Sequence, residues 1–183
     1  MKLVAVLLVA ASGFAQAQKP PMATGSTIPK PKQYNIAPGS FRALERRFDM
    51  QLESMVQDPN EPVDVLGPTR GVYIENYGVV FTAEVSLVKS PELTPFLKEI
   101  PKAVQDRVHQ RRVERLPVLK KTMHEMLNSM AMTFMQIPND QHVVLVVRLL
   151  YGSWENTVGM PAQIMLRATR AGVQTKDIVE EIQ

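Results

Sequence analysis

Residues 71–88, GVYIENYGVVFTAEVSLV, show the clearest alternation of apolar and polar positions in the chain. From Val79 onward, apolar residues take every second position, and mostly polar residues stand between them. Because successive side chains of a strand point to opposite faces, this pattern predicts a strand with one buried and one largely solvated face. Asn76 and Gly78 suit a tight turn after the strand-like residues 72–74, so the stretch predicts a β-hairpin.

The same reading of periodicity predicts a sheet of about five antiparallel strands. They are expected at about 63–66, 71–75, 79–88, 142–151 and 162–169. Residues 142–151, HVVLVVRLLY, are almost continuously apolar, which is typical of a central strand. Residues 162–169 alternate again, and we expect them to pair antiparallel with that strand. Arg148, inside the apolar run, is expected to face solvent or to pair with Glu84 across the sheet.

Helical periodicity appears on both sides of the predicted hairpin. Phe41, Leu44, Phe48, Leu52 and Met55 form a narrow apolar stripe that predicts an N-terminal amphipathic helix. A short helix is expected at 91–100, followed by a long helix over 101–137. Pro117 should kink or break that long helix, because proline removes one backbone hydrogen bond. The chain therefore predicts an α+β fold, with the N-terminal helix and a long Pro-kinked helix packed on one face of the sheet.

The N-terminus has the pattern of an export signal. Lys2 is followed by a short apolar run and then by the small-x-small motif that ends at Ala17. We expect residues 1–17 to be a signal peptide cleaved after Ala17, which gives an exported protein, periplasmic or secreted. Residues 18–39 hold five prolines and predict a disordered Pro-rich linker. A single α+β domain is expected over 40–170, and a weakly helical tail over 171–183. No later stretch predicts a transmembrane span.

Composition excludes several kinds of chemistry. The formal net charge is only +3, too small to indicate a nucleic-acid partner, and there is no cysteine. His124 is followed four residues later by Asn128, where a zinc-protease helix would need a second histidine. Met123, Met126 and Met130 fall on the apolar stripe of the long helix, which indicates packing rather than copper binding. We therefore expect no cofactor and no metal site.

Three segments resemble a family of exported proteins of acidobacterial type. They are residues 73–85 (YIENYGVVFTAEV), 111–119 (RRVERLPVL) and 151–164 (YGSWENTVGMPAQI). The resemblance covers most of residues 40–170. It implies an exported bacterial protein that carries a signal peptide. No activity, cofactor or catalytic residue is established for that family, so the resemblance assigns no chemistry to any residue.

Two surfaces are candidates for function. The first is a recognition surface on the loops: Tyr77 lies at the hairpin turn, and Trp154 and Glu155 lie between two strands. The second is a basic surface on the long helix, made of Arg107, Arg111, Arg112, Arg115, Lys120 and Lys121. With Asp106 and Glu114 its net charge is 6 − 2 = 4 positive charges. At about 1 kcal/mol per charge, that surface predicts weak, salt-sensitive contact with anionic membranes.

These features favour a non-enzymatic binding or structural protein of the bacterial cell envelope, with an unknown protein or envelope component as its partner. One alternative is a hydrolase that uses carboxylates such as Glu75, Glu84 or Glu155, although their spacing in the sequence indicates no pair. The other is a peripheral binder of anionic membranes through the basic helix at 107–121. No catalytic residue is predicted.

Overall fold

Helices and one mixed sheet make up the fold, which is α+β as predicted. The computed structural model describes residues 36–56 and 62–183, so the expected signal peptide and most of the expected linker lie outside the described residues. In chain order the elements are α1 (Pro38–Ser54), β1 (Asp64–Val65), β2 (Arg70–Ile74), β3 (Gly78–Ser86), α2 (Lys102–Thr133), β4 (His142–Leu149), β5 (Gln163–Thr169), α3 (Arg170–Thr175) and β6 (Val179–Ile182).

The strands form one sheet in the order β1-β3-β4-β5-β6, with β2 also paired to β3. β1 pairs with the end of β3 and β2 pairs with its beginning, so both lie along the same edge of β3. The pairs are antiparallel as predicted, except for β3 and β4, which run parallel. A parallel pair needs a long crossover, and α2 supplies it by returning the chain to the end of the sheet where β3 began.

The core lies between the helices and one face of the sheet. Phe48 and Leu52 of α1 and Met123, Met126 and Met130 of α2 are fully buried there. The alternate residues of β3 that the pattern assigned to the core, including Phe81 and Val85, are also fully buried. The rings of Phe41, Phe81 and Phe134 meet with centroids 4.9–6.0 Å apart, which joins both long helices to β3. Methionine packing on the α2 stripe is thus confirmed.

The long helix runs unbroken through Pro117. Proline at this position leaves the carbonyl of Val113 without its usual donor four residues later. Both Pro117 and Val113 are exposed, so water can satisfy that carbonyl on the solvent side of the helix. The unpaired carbonyl therefore lies on the solvent side and not in the core, so the helix does not have to break at Pro117.

Two segments differ from their predicted secondary structure. Residues 91–100 form no helix; a bridge joins Thr94 to Leu97, and Phe96 is 99% exposed. Leu93, Phe96, Leu97 and Ile100 have helical spacing, but of these four only Ile100 is buried, so no packing against the core stabilises a helix there. The expected tail at 171–183 contains α3 and then β6, which pairs with β5. The sheet therefore continues to Ile182 instead of ending at Thr169. Four residues are too few for β6 to show a period.

Gly78 offers a test of the hairpin. Its φ is +134°, and a Cβ there would overlap the backbone carbonyl of His142 on β4. We predict that Gly78→Ala lowers the free energy of unfolding by more than about 2 kcal/mol, because strain at positive φ adds to the clash. Urea unfolding followed by circular dichroism measures the change.

The matched control is Gly39→Ala, at the start of α1, where an added Cβ meets no atom within 4 Å. Alanine in a helix is favoured over glycine by about 0.5–1 kcal/mol, so this variant should be as stable as the wild type or slightly more stable. Equal unfolding free energies for the two variants would refute the assignment of Gly78.

Candidate functional site

The carboxyl ends of β3 and β4 meet at one edge of the fold because these two strands are parallel. The chain leaves β3 into residues 87–101 and leaves β4 into residues 150–162, so both long loops start side by side. Trp154 joins them, since its indole Nε1 donates a hydrogen bond of 3.0 Å to the carbonyl of Pro91. His109 on α2 donates from Nδ1 to the carbonyl of Asn156 at 2.9 Å, which holds the second loop to the helix.

Two arginines of α2 reach into this end of the sheet from the helix side. Arg112 and Arg115 are three residues apart and therefore lie on the same face of the helix. Arg115 donates from Nη1 to the carbonyl of Leu87 at 2.7 Å. Arg112 donates to the carbonyl of Leu150 at 3.3 Å and to Oγ of Ser86 at 3.0 Å. The two side chains thus satisfy backbone and hydroxyl acceptors where both parallel strands end.

Arg112 also forms a buried ion pair with Glu155. Nε of Arg112 lies 2.6 Å from Oε2, and both side chains are at most 1% exposed. Nη2 of Arg112 donates to Oε1 at 2.9 Å, and the same oxygen accepts from Oγ of Ser90 at 2.7 Å and from the amide of Gly152 at 3.0 Å. Both carboxylate oxygens are therefore engaged, and the loop at 152–155 is folded around them.

Tyr151 packs against this ion pair. The guanidinium carbon of Arg112 lies 4.9 Å from the centroid of the tyrosine ring, within the range of a cation–π contact. The hydroxyl donates to the carbonyl of Pro161 at 2.5 Å. Burial raises the pKa of Tyr151 above its ordinary value; the positive charge of Arg112 opposes this, and the negative charge of Glu155 adds to it. Tyr151 is therefore a neutral structural donor rather than a proton acceptor near neutral pH.

A groove of about 370 Å³ opens to solvent above this cluster. Its apolar wall is formed by Leu66, Leu93 and Trp154. Two acidic residues, Asp64 and Glu92, line it together with the hydroxyls of Ser86, Ser90 and Ser153, and Glu155 contributes from below. No arginine or lysine is among the described residues that line it. We call this the Trp154 groove; it is an acidic cleft with an aromatic wall.

The predicted recognition residues do not form one surface. Tyr77 lies in the turn before β3, at the end of the sheet opposite to Trp154, and its ring stacks on His142 with centroids 5.0 Å apart. Trp154 and Glu155 are neighbours at the other end, but the Glu155 side chain is buried. Glu155 is therefore a structural residue beneath the Trp154 groove and not an exposed contact. Trp154 lines the groove described above and remains partly accessible.

The predicted basic surface is also reduced. Arg112 and Arg115 are buried, because the apolar stripe of α2 passes through Val108 and Leu119 and the two arginines fall on it. Arg107 and Arg111 remain exposed. Three of the four remaining cations have nearby acids: Arg111 pairs with Glu114, Lys120 with Glu180, and Lys121 with Glu125. The spacing 108, 112, 115, 119 was the signal that could have revealed the burial.

The three candidate carboxylates of the hydrolase alternative lie apart. Glu75 is in the turn near Tyr77, Glu84 lies on the exposed face of the sheet, and Glu155 is buried on the helix side. Glu84 is directly opposite Arg148 and pairs with it at 3.4 Å, as predicted. Among the described residues, no three histidine or acidic side chains are grouped as ligands for a metal ion.

The ion pair beneath the groove is open to mutation. We predict that Glu155→Ala lowers the free energy of unfolding by about 3–5 kcal/mol, because it leaves the Arg112 charge buried without a counter-ion. Glu155→Gln should cost less, since an amide oxygen can still accept from Ser90 and Gly152. Chemical denaturation measures both changes.

Glu84→Ala is the control, because it removes the same kind of residue from an exposed ion pair, which contributes about 0–1 kcal/mol. Should Glu155→Ala cost no more than Glu84→Ala, the Arg112–Glu155 pair would not be the structural centre of this end.

Comparison with known proteins adds no relative to this geometry. No family model, no curated protein and no solved structure matches the chain. The resemblance to exported acidobacterial proteins therefore stays a prediction, and conclusions about function depend on the residues and contacts described above.

Proposed function

We propose that the protein is an exported, non-enzymatic binding domain of the bacterial cell envelope that recognises its partner through the Trp154 groove. The observation that carries the proposal is the groove itself, an open acidic cleft whose floor is fixed by the buried Arg112–Glu155 ion pair. A rigid floor lowers the conformational cost of binding, because the site does not have to be ordered when the partner arrives.

A binding role is supported over hydrolysis by the state of the carboxylates. A catalytic acid or nucleophile needs an oxygen that can reach the substrate. In Glu155 both oxygens are occupied by Arg112, Ser90 and Gly152. Glu75 and Glu84 lie in other parts of the fold, so neither can act with Glu155 on one substrate.

A binding role is also supported over membrane attachment. The attraction of a helix to anionic lipid grows with the number of exposed cations. Burial of Arg112 and Arg115 leaves four of the six basic residues of 107–121 at the surface, and three of these have acidic partners. Within residues 36–56 and 62–183, no helix is both long and apolar enough to cross a membrane.

The lining of the groove indicates the chemistry of the partner. Asp64 and Glu92 give it a negative potential, and an indole ring attracts a cation placed against its face. A protein segment that carries lysine or arginine beside a small apolar side chain would match both properties. The partner in this proposal is thus an envelope protein with an exposed basic segment.

An affinity capture from the envelope fraction tests the groove. We predict that the wild type and Tyr77→Ala retain the same protein, whereas Trp154→Ala loses it, because only Trp154 lies in the groove. Tyr77→Ala is the matched control, since it removes an exposed aromatic residue from the opposite end of the sheet. The affinity for the purified partner should fall at least tenfold in Trp154→Ala. The affinity of the wild type should also fall as the salt concentration is raised.

Trp154→Ala also removes the hydrogen bond to Pro91. Trp154→Phe lacks the same hydrogen bond but keeps an aromatic ring, so it distinguishes loss of the ring contact with the partner from loss of the loop position. Capture that survives in Trp154→Ala but is lost in Tyr77→Ala would contradict the proposal.

Export has its own test. We predict that the protein recovered outside the cytoplasm begins at Gln18, because cleavage should follow Ala17. Intact-mass measurement of the purified exported chain gives the N-terminus directly. A chain that retains Met1, or that stays in the cytoplasm, would refute the export signal while leaving the groove proposal intact.

A further inference from the structure

The face of the sheet that the helices leave uncovered carries a second cavity. It has a volume of about 400 Å³, which lies within the range of small-molecule sites. Residues of β2, β3, β4 and β5 form it side by side, and the chain at Gly67 and Pro68 makes its rim. It is separate from the Trp154 groove, since the residues that line the two cavities do not overlap.

The sheet register explains which side chains meet in this cavity. Arg70, Thr82 and Val146 are direct neighbours across three strands. Glu84, Arg148 and Gln163 are neighbours in the next row on the same face. Side chains in such rows stand close enough for long residues to reach one another. Two arginines in neighbouring rows, Arg70 and Arg148, therefore lie near one apolar floor residue, Val146.

Several polar groups in the cavity have no partner in the described part of the chain. The guanidinium of Arg70, the hydroxyl of Thr82 and the side-chain amide of Gln163 make no hydrogen bond or ion pair with another described residue. Arg148 is engaged only with Glu84, at 3.4 Å, with both side chains about half exposed or more. An ion pair of that kind contributes about 0–1 kcal/mol, so Arg148 can turn toward a ligand at little cost.

The charge of the cavity sets the charge of its ligand. Arg70 and Arg148 contribute two positive charges and Glu84 one negative charge, which leaves a net charge of one positive. A single carboxylate would neutralise it. Guanidinium groups match the planar carboxylate with two parallel hydrogen bonds, and Thr82 and Gln163 supply further donors. Val146 and Pro68 offer apolar contact to the rest of the molecule.

We propose that this cavity is a binding site for a small molecule that bears one carboxylate on an apolar body. Arg70 is the principal anchor of the carboxylate. Arg148 leaves its ion pair with Glu84 and binds the carboxylate of the ligand instead. The site does not depend on the Trp154 groove, so failure of either proposal leaves the other standing.

Titration of the purified protein with sodium benzoate, followed by amide chemical shifts in NMR, tests the site. We expect saturable shifts at Thr82, Val146 and Gln163. Benzamide has the same shape without the charge and should bind at least tenfold more weakly, as expected for loss of a charge-assisted hydrogen bond. Arg70→Ala should weaken benzoate by a similar factor. Arg70 is exposed, so the fold should persist in Arg70→Ala.

Arg167→Ala is the matched control, because Arg167 lies on the same face but outside the cavity and pairs with Glu181 at 3.3 Å. It should leave benzoate binding unchanged. Inorganic phosphate is the last ligand to be titrated, and it should bind more weakly than benzoate. The proposal is overturned by equal binding of benzoate and benzamide, by an equal loss in Arg167→Ala, by phosphate binding as tightly as benzoate, or by the absence of saturable shifts.

Discussion

The structure depends on the buried ion pair between Arg112 and Glu155. Removing two charges from water is costly, and the cost is offset only when the groups are closely paired and their remaining hydrogen-bonding positions are filled. The two charges lie 2.6 Å apart, and Oε1 of Glu155 and both Nη atoms of Arg112 have further partners. Arg112 reaches Ser86 and Leu150, which stand at the ends of β3 and β4, while Glu155 holds Ser90 and Gly152 in the two loops. One pair therefore joins the long helix, the parallel strands and both walls of the Trp154 groove.

The two faces of the sheet follow different rules. On the covered face, apolar residues of three helices exclude water, and the buried Arg112 is paired with Glu155. On the uncovered face, two ion pairs balance much of the charge, namely Glu84–Arg148 and Arg167–Glu181. Arg70 on that face has no acidic partner among the described residues. An unbalanced cation beside an apolar floor is what gives the second cavity a preference for one negative charge.

Local patterns predicted the elements well and their arrangement less well. The alternation from Val79 to Leu87 and the stripe from Phe41 to Leu52 each depend on one buried face, which a period reveals directly. The parallel pairing of β3 with β4 leaves no such trace, because it follows from the path of α2 over the sheet. The sequence pattern did not predict β6, for another reason. Its four residues are held by the edge of β5 and by Lys120 against Glu180, contacts that involve distant parts of the chain.

The exposure of Arg112, Arg115 and Glu155 was predicted wrongly because charged residues were assumed to lie at the surface. Arg112 and Arg115 occupy stripe positions of α2 between Val108 and Leu119, so helical spacing already placed them toward the core. Once they are buried, the helix loses two surface cations, and Glu155 is drawn inward as a counter-ion. The charged residues that line the groove beside Trp154, apart from the buried Glu155, are Asp64 and Glu92. Burial of the two arginines thus removes two charges from the predicted basic surface of α2, and the proposal of a basic partner depends on the acidic lining of the separate Trp154 groove.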